Sequence, residues 1–244
     1  MQVDALAVRI RPRSPMEAAD LGARLCQSSV RSVYVCYGST ALPIVALALA
    51  SYEIAGWLPW VVLWWAKPWL DRTVLFVLSR AAFGKRTLPA DLWDARRAVW
   101  GRQLLHTWTL RRLSPWRSFT QPVYQLEGVS AWKARKRVLQ IRRGRSGQAL
   151  LMTSAFALAE TSLTLAVASL AFWFAPAERA PDLGQVLFGE VSVFVALVLP
   201  VSYAIVVLFL EPFYVAAGFG MYLNRRSELE AWDIEQEFRR GFAS

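Results

Sequence analysis

The chain has 244 residues, 55% of them hydrophobic, with 12 tryptophans, a mean hydropathy of +0.30 and a net charge of +10. Such usage excludes an ordinary soluble domain and a disordered chain, and its long apolar runs point to an integral membrane protein. Two cysteines and a single histidine, His106, exclude a disulfide scaffold and a His-rich metal site.

In chain order, residues 1–32 form a basic, amphipathic N-terminal segment carrying Arg9, Arg11, Arg13, Arg24 and Arg31. From Val33 to Ala66 the only charge is Glu53. About 20 residues cross the hydrocarbon core, so this run is too long for one span. The spacing predicts a first span over Val33–Ile54 and a turn at Gly56-Trp57-Leu58-Pro59. A second span then starts near Trp57, bends at Pro68 and continues to about Phe83, completing a hairpin over 33–83. Residues 84–147 read as a basic cytoplasmic or interfacial helical region, in which Leu92–Leu113 reads as a helix lying on headgroups, rich in tryptophan. Gln148–Phe174 is predicted as a third span and Leu187–Leu210 as a fourth, giving a second hairpin over 148–210. Residues 211–244 read as an interfacial helix and tail, with a helix restart at Ser227 because Ser227-Glu228-Leu229-Glu230 has capping-box form. Ala231, Ile234 and Phe238 then share one helical face.

The expected fold is therefore all-α: four transmembrane helices in two hairpins, with amphipathic helices along one membrane face. Of the 28 basic residues, 27 fall on segments that this topology puts on one side, and only Arg179 falls on the other. The positive-inside rule then places both termini in the cytoplasm. The densest cluster, Lys133, Arg135, Lys136, Arg137, Arg142 and Arg143, reads as a surface for anionic lipid headgroups or docking. Topology accounts for this charge, so no nucleic-acid partner is expected. Cys26 and Cys36 lie at the cytoplasmic side of span one, where a disulfide is not expected.

Two span ends share a signature: Trp65-Ala66-Lys67-Pro68-Trp69-Leu70 and Phe209-Leu210-Glu211-Pro212-Phe213-Tyr214. Each follows a Ser-Pro (Ser14-Pro15, Ser114-Pro115) that opens the segment leading to a hairpin. The pattern suggests two parallel repeats; the alternative is that proline marks the ends of unrelated hairpins.

The C-terminal residues Tyr222, Asn224 and Arg226, then Glu230-Ala231-Trp232-Asp233-Ile234-Glu235, and the N-terminal Ser14–Leu25 stretch, SPMEAADLGARL, carry a family resemblance. They resemble uncharacterised bacterial integral membrane proteins related to the membrane domain fused to some glycerophosphodiester phosphodiesterases. Asn224 stands where that group usually has an acid, and Ala231 where it has glycine. The resemblance implies the bacterial inner membrane and makes Tyr222, Arg226, Glu230, Asp233 and Glu235 motif residues. It implies no phosphodiesterase activity, which belongs to a separate catalytic domain.

Ionisable residues within spans are costly to insert and are functional candidates. Glu160 lies mid-span, Lys67, Asp71 and Arg72 cluster in span two, and Glu211 ends span four. Glu160 or Glu211 is expected to pair with Lys67 or Arg72 to fix helix packing; the alternative is ion coupling at Glu160 with Lys67 as its counter-charge. No C-x-x-C, G-x-S-x-G, H-E-x-x-H or Gly-rich phosphate loop occurs, so no catalytic, cofactor or metal residue is expected. The expected function is a non-enzymatic subunit or scaffold of a membrane complex, homo- or hetero-oligomeric. The alternative is a small ion- or proton-coupled transporter or channel using Glu160.

Overall fold

The structure, a computed structural model, describes residues 13–101, 114–128, 131–174 and 193–230, and among them its regular structure is all helical, without strands. The helices are α1 (Pro15–Ser28), α2 (Val30–Ala50), α3 (Leu58–Ala81), α4 (Pro89–Asp94), α5 (Arg117–Leu126), α6 (Ala131–Arg142), α7 (Ser146–Trp173) and α8 (Val193–Glu230). Three stretches are long and apolar enough to cross a membrane: Val30–Glu53, Ser146–Trp173 and Ala196–Glu230. Helix α3 has the length, with 24 residues, but Lys67, Asp71 and Arg72 interrupt its apolar run.

The frame is α8. Its 38 residues make a rod about 57 Å long at 1.5 Å per residue, longer than a hydrocarbon core about 30 Å thick. The expected break at Glu211 and the restart at Ser227 do not occur. Pro200 and Pro212 sit inside one continuous helix, and the Ser227 hydroxyl donates to the Asn224 carbonyl at 2.7 Å instead of capping a new helix. Arg225–Glu228 and Arg226–Glu230 pairs carry the helix through this point. Pro68 likewise lies within an unbroken α3. The capping box forms at the other end of the chain. Ser14 Oγ accepts from the Glu17 N–H at 3.3 Å, Glu17 accepts from the Ser14 N–H at 3.1 Å, and Pro15 occupies the first turn.

Helix α1 does not leave its apolar face for lipid. Pro15, Ala18, Ala19, Gly22 and Cys26 are buried on it, and its principal partner is α8. The approach is close enough to need glycine on both sides. A Cβ on Gly22 would collide with the Ala216 carbonyl, and one on Gly220 with the Ala18 carbonyl. Helices α2 and α3 form the expected hairpin, and α2, α3, α5 and α7 all pack on α8. Tyr34 on α2 donates its hydroxyl to the Phe209 carbonyl at 2.7 Å, and Trp60 on α3 stacks on Tyr203 with centroids 5.0 Å apart.

The region 84–147 departs from a uniform interfacial layer. The helix expected over Leu92–Leu113 is broken: α4 ends at Asp94 and a π-helical turn follows at Arg97–Gly101. Its remainder, with His106 and Trp108, lies outside the described residues. Helix α5 is a buried insert, with Ser118, Phe119, Thr120, Gln121, Pro122 and Val123 all enclosed between α3 and α8. The start expected for the fourth span (187–192), the connector bearing Arg179, and Ala231, Ile234 and Phe238 also lie outside the described residues.

Candidate functional site

A single charge-bearing residue from α5, one from α7, one from α8 and two from α3 meet where these helices converge. Because side chains four residues apart share a helix face, α3 presents Lys67 and Asp71 together toward α8. Lys67 Nζ lies 2.5 Å from Glu160 Oε2 and 2.7 Å from Glu211 Oε2. The question of which acid it pairs with resolves as both. Glu211 Oε1 is 2.6 Å from Arg117 Nη2, and Arg117 Nε is 2.8 Å from Asp71 Oδ2. The five groups thus alternate in sign along a ladder: Glu160, Lys67, Glu211, Arg117, Asp71. The Glu211 and Asp71 side chains are 1% and 0% exposed, while Glu160, at 21%, is the member that reaches open space.

Aromatic rings wall the ladder. The Lys67 ammonium lies 5.9 Å from the Tyr203 ring centroid and the Arg117 guanidinium 5.4 Å from that of Tyr214. A cavity of about 310 Å³ opens against it, lined by Trp64, Lys67, Arg117, Thr153, Glu160 and Glu211 among others.

Of the charged residues predicted within spans, Lys67, Asp71, Glu160 and Glu211 are brought together. Arg72 is buried, and its Nε donates to the Val99 carbonyl at 2.6 Å. Arg117 was hidden among the 18 basic residues of 67–147, where counting for topology treats every cation as solvated. A local signal existed: Ser114–Leu126, SPWRSFTQPVYQL, has one charge in 13 residues inside the most basic region of the chain.

A second ionic network surrounds the last turns of α8. Tyr222, fully buried, donates its hydroxyl to Glu127 Oε1 at 2.8 Å. Arg137 bridges Glu127 and Glu230, and Arg226 Nε is 3.0 Å from Glu230 Oε2. Of the residues expected to form a motif, Tyr222, Arg226 and Glu230 are joined in this one network, whereas Asp233 and Glu235 lie outside the described residues. Beside them Glu228 accepts from Arg145 at 2.9 Å and from Arg225 at 2.8 Å. Asn224 donates to the Arg13 carbonyl at 3.0 Å and accepts from the Arg13 N–H at 3.2 Å. An acid at 224 could do only the second, so the amide is what docks the N-terminal segment here.

The predicted docking cluster divides. Lys133, Arg135, Lys136 and Arg143 are exposed. Arg137 is taken up by its two glutamates, and Arg142 stacks on Trp116 with its guanidinium 3.4 Å from the ring centroid. Both cysteines are free thiols. Burial pushes the Cys26 thiol up to about 12.

No protein-family model, curated protein or solved structure matches this chain.

Proposed function

We propose that the chain is a non-enzymatic, multi-pass subunit or scaffold of a membrane complex. The reading takes α3 as a fourth span, sets both termini in the cytoplasm, and places the protein in a bacterial inner membrane, as the resemblance to uncharacterised bacterial membrane proteins implies. The positive-inside count supports this orientation. The observation that carries the reading is α7. Its most apolar window is only 11% buried, against 50% in α8, although the same helix contributes Glu160 to the ladder. Leu151, Leu158, Leu165 and Leu170 stand exposed along it. A span fixed by charge on one side and uncovered on the other suits a subunit that receives neighbours from within the bilayer. The exposed Lys133, Arg135, Lys136 and Arg143 supply a surface for anionic headgroups at roughly 1 kcal/mol per basic residue.

A photo-crosslinking amino acid placed at Leu158 and at Leu165 in native membranes tests the proposal. The expected result is an adduct of discrete higher mass containing a second polypeptide. Adducts with lipid alone at both positions overturn it.

The second reading is a small proton- or ion-coupled transporter, favoured by the cavity against Glu160. In proteoliposomes it requires a flux that Glu160→Gln abolishes; absence of flux, or flux unchanged by the substitution, rules it out.

A further inference from the structure

The ladder does not balance. Lys67 and Arg117 supply two positive charges, and Glu160, Glu211 and Asp71 supply three carboxyls. Were all three ionised, the ladder would hold one more negative than positive charge, with Asp71 0% and Glu211 1% exposed. An isolated carboxylate is far too costly to keep in such surroundings, and the usual outcome is neutralisation.

The hydrogen bonds show which carboxyl is least supported. Lys67 donates to Glu160 at 2.5 Å, and Glu211 has both Lys67, at 2.7 Å, and Arg117, at 2.6 Å. Asp71 has the Arg117 guanidinium beside it, but the N–H is not aimed at it, and neither Oδ1 nor Oδ2 receives a hydrogen bond. The Asp71 and Glu211 carboxyls meet on one guanidinium, with Arg117 Nε 2.8 Å from Asp71 Oδ2 and Nη2 2.6 Å from Glu211 Oε1. Two carboxyls held on the same guanidinium repel each other when both are charged, and one of them can donate a hydrogen bond to the other when it carries a proton.

We propose that Asp71 and Glu211 form a proton-sharing carboxyl pair: one proton resides on Asp71, donated to Glu211, and exchanges with water in the cavity through Glu211. The other polar and titratable groups facing the pair are consistent with this assignment. From α3 there is Lys67, from α5 Arg117 and from α7 Glu160; Tyr203 and Tyr214 on α8 and Tyr37 on α2 complete the surroundings. The Tyr37 hydroxyl is committed to the Val207 carbonyl at 3.4 Å, and the Tyr214 hydroxyl bonds Thr153 at 3.4 Å. Glu211 lines the cavity directly, whereas Asp71 does not, which fixes the direction of exchange. A metal cation in place of the proton lacks a ligand set, since among the described residues no three His, Cys, Asp or Glu side chains converge to hold one. The pair is independent of the complex-subunit reading, because it follows from the charge count within one chain.

Infrared spectroscopy of the full chain in phospholipid vesicles at neutral pH reads the proton directly, as the C=O stretch of a protonated carboxyl that moves down in D2O. The expected spectrum has one such band that is lost in Asp71→Asn, retained in Glu160→Gln, and unchanged when Na⁺ is replaced by choline. Asn keeps a donor toward Glu211 at the same volume, so the variant is expected to fold. Carboxyl-¹³C-aspartate labelling of the unaltered protein gives the same answer without a substitution, by shifting the band. Absence of the band overturns the proposal. So does a band that survives Asp71→Asn, one that ignores aspartate labelling, or one seen only when Na⁺ is removed.

Discussion

The two ends of the lower half of α8 use the same chemistry under different dielectric conditions. Around Glu211, two cations serve three carboxyls in a site where Asp71 and Glu211 are shut away from solvent. Around Tyr222–Glu230, the four arginines Arg137, Arg145, Arg225 and Arg226 serve Glu127, Glu228 and Glu230, each arginine side chain 17–27% exposed. The outer network carries a surplus positive charge that water and headgroups can solvate. The inner one has one carboxyl more than its cations, which the proposed proton on Asp71 neutralises. Imbalance of charge is thus harmless at one end and informative at the other.

That contrast breaks most sharply at Lys67. Lys67→Met leaves Glu160 and Glu211 without their shared partner, and removal of one member of a buried ion pair costs about 3–5 kcal/mol. Thermal unfolding in detergent should fall accordingly, and by the same amount at 0.1 M and 1 M salt. Next in size is Asn224→Asp. It withdraws the donor from the Arg13 carbonyl and sets a carboxylate beside Glu228, for an expected loss of about 1–2 kcal/mol by the same assay. Smaller again is Arg137→Gln, at about 1 kcal/mol, discounted for the 23% exposure of its side chain. Its effect should shrink in 1 M salt, where the screening length drops from ~10 Å to ~3 Å. A salt-dependent Lys67→Met, or a salt-independent Arg137→Gln, would erase the distinction between the two networks. The smallest expected effect is none. With its thiol raised to about 12 by burial under α8, Cys26 stays protonated and unreactive to maleimide at pH 8, and rapid labelling would mean that α1 is not seated.

Much of the site was legible before any coordinates. Lys67, Asp71, Glu160 and Glu211 stand out because a charge in an apolar run has few reasons to be there, and all four meet. Arg117 did not stand out, because a cation in a basic region looks solvated until a helix buries it. Arg72 stood out equally with Lys67, yet its position on α3 turns it toward the Val99 carbonyl. Helical periodicity gives the relative directions of residues on one helix; it does not say which direction meets a neighbour.

By itself, the sequence determined the helical class, three of the four expected apolar spans, the α2–α3 hairpin and the asymmetry of positive charge, since these follow from local hydropathy and from counting. The tertiary structure decided the rest. The close approach at Gly22 and Gly220 let α1 lie on α8 instead of on lipid. The burial of α5 brought Arg117 inward, and the uninterrupted α8 placed Glu211 in the ladder and Tyr222, Arg226 and Glu230 in the outer network. These outcomes depend on contacts between residues distant in the chain, such as Lys67 with both Glu160 and Glu211, which no local pattern encodes.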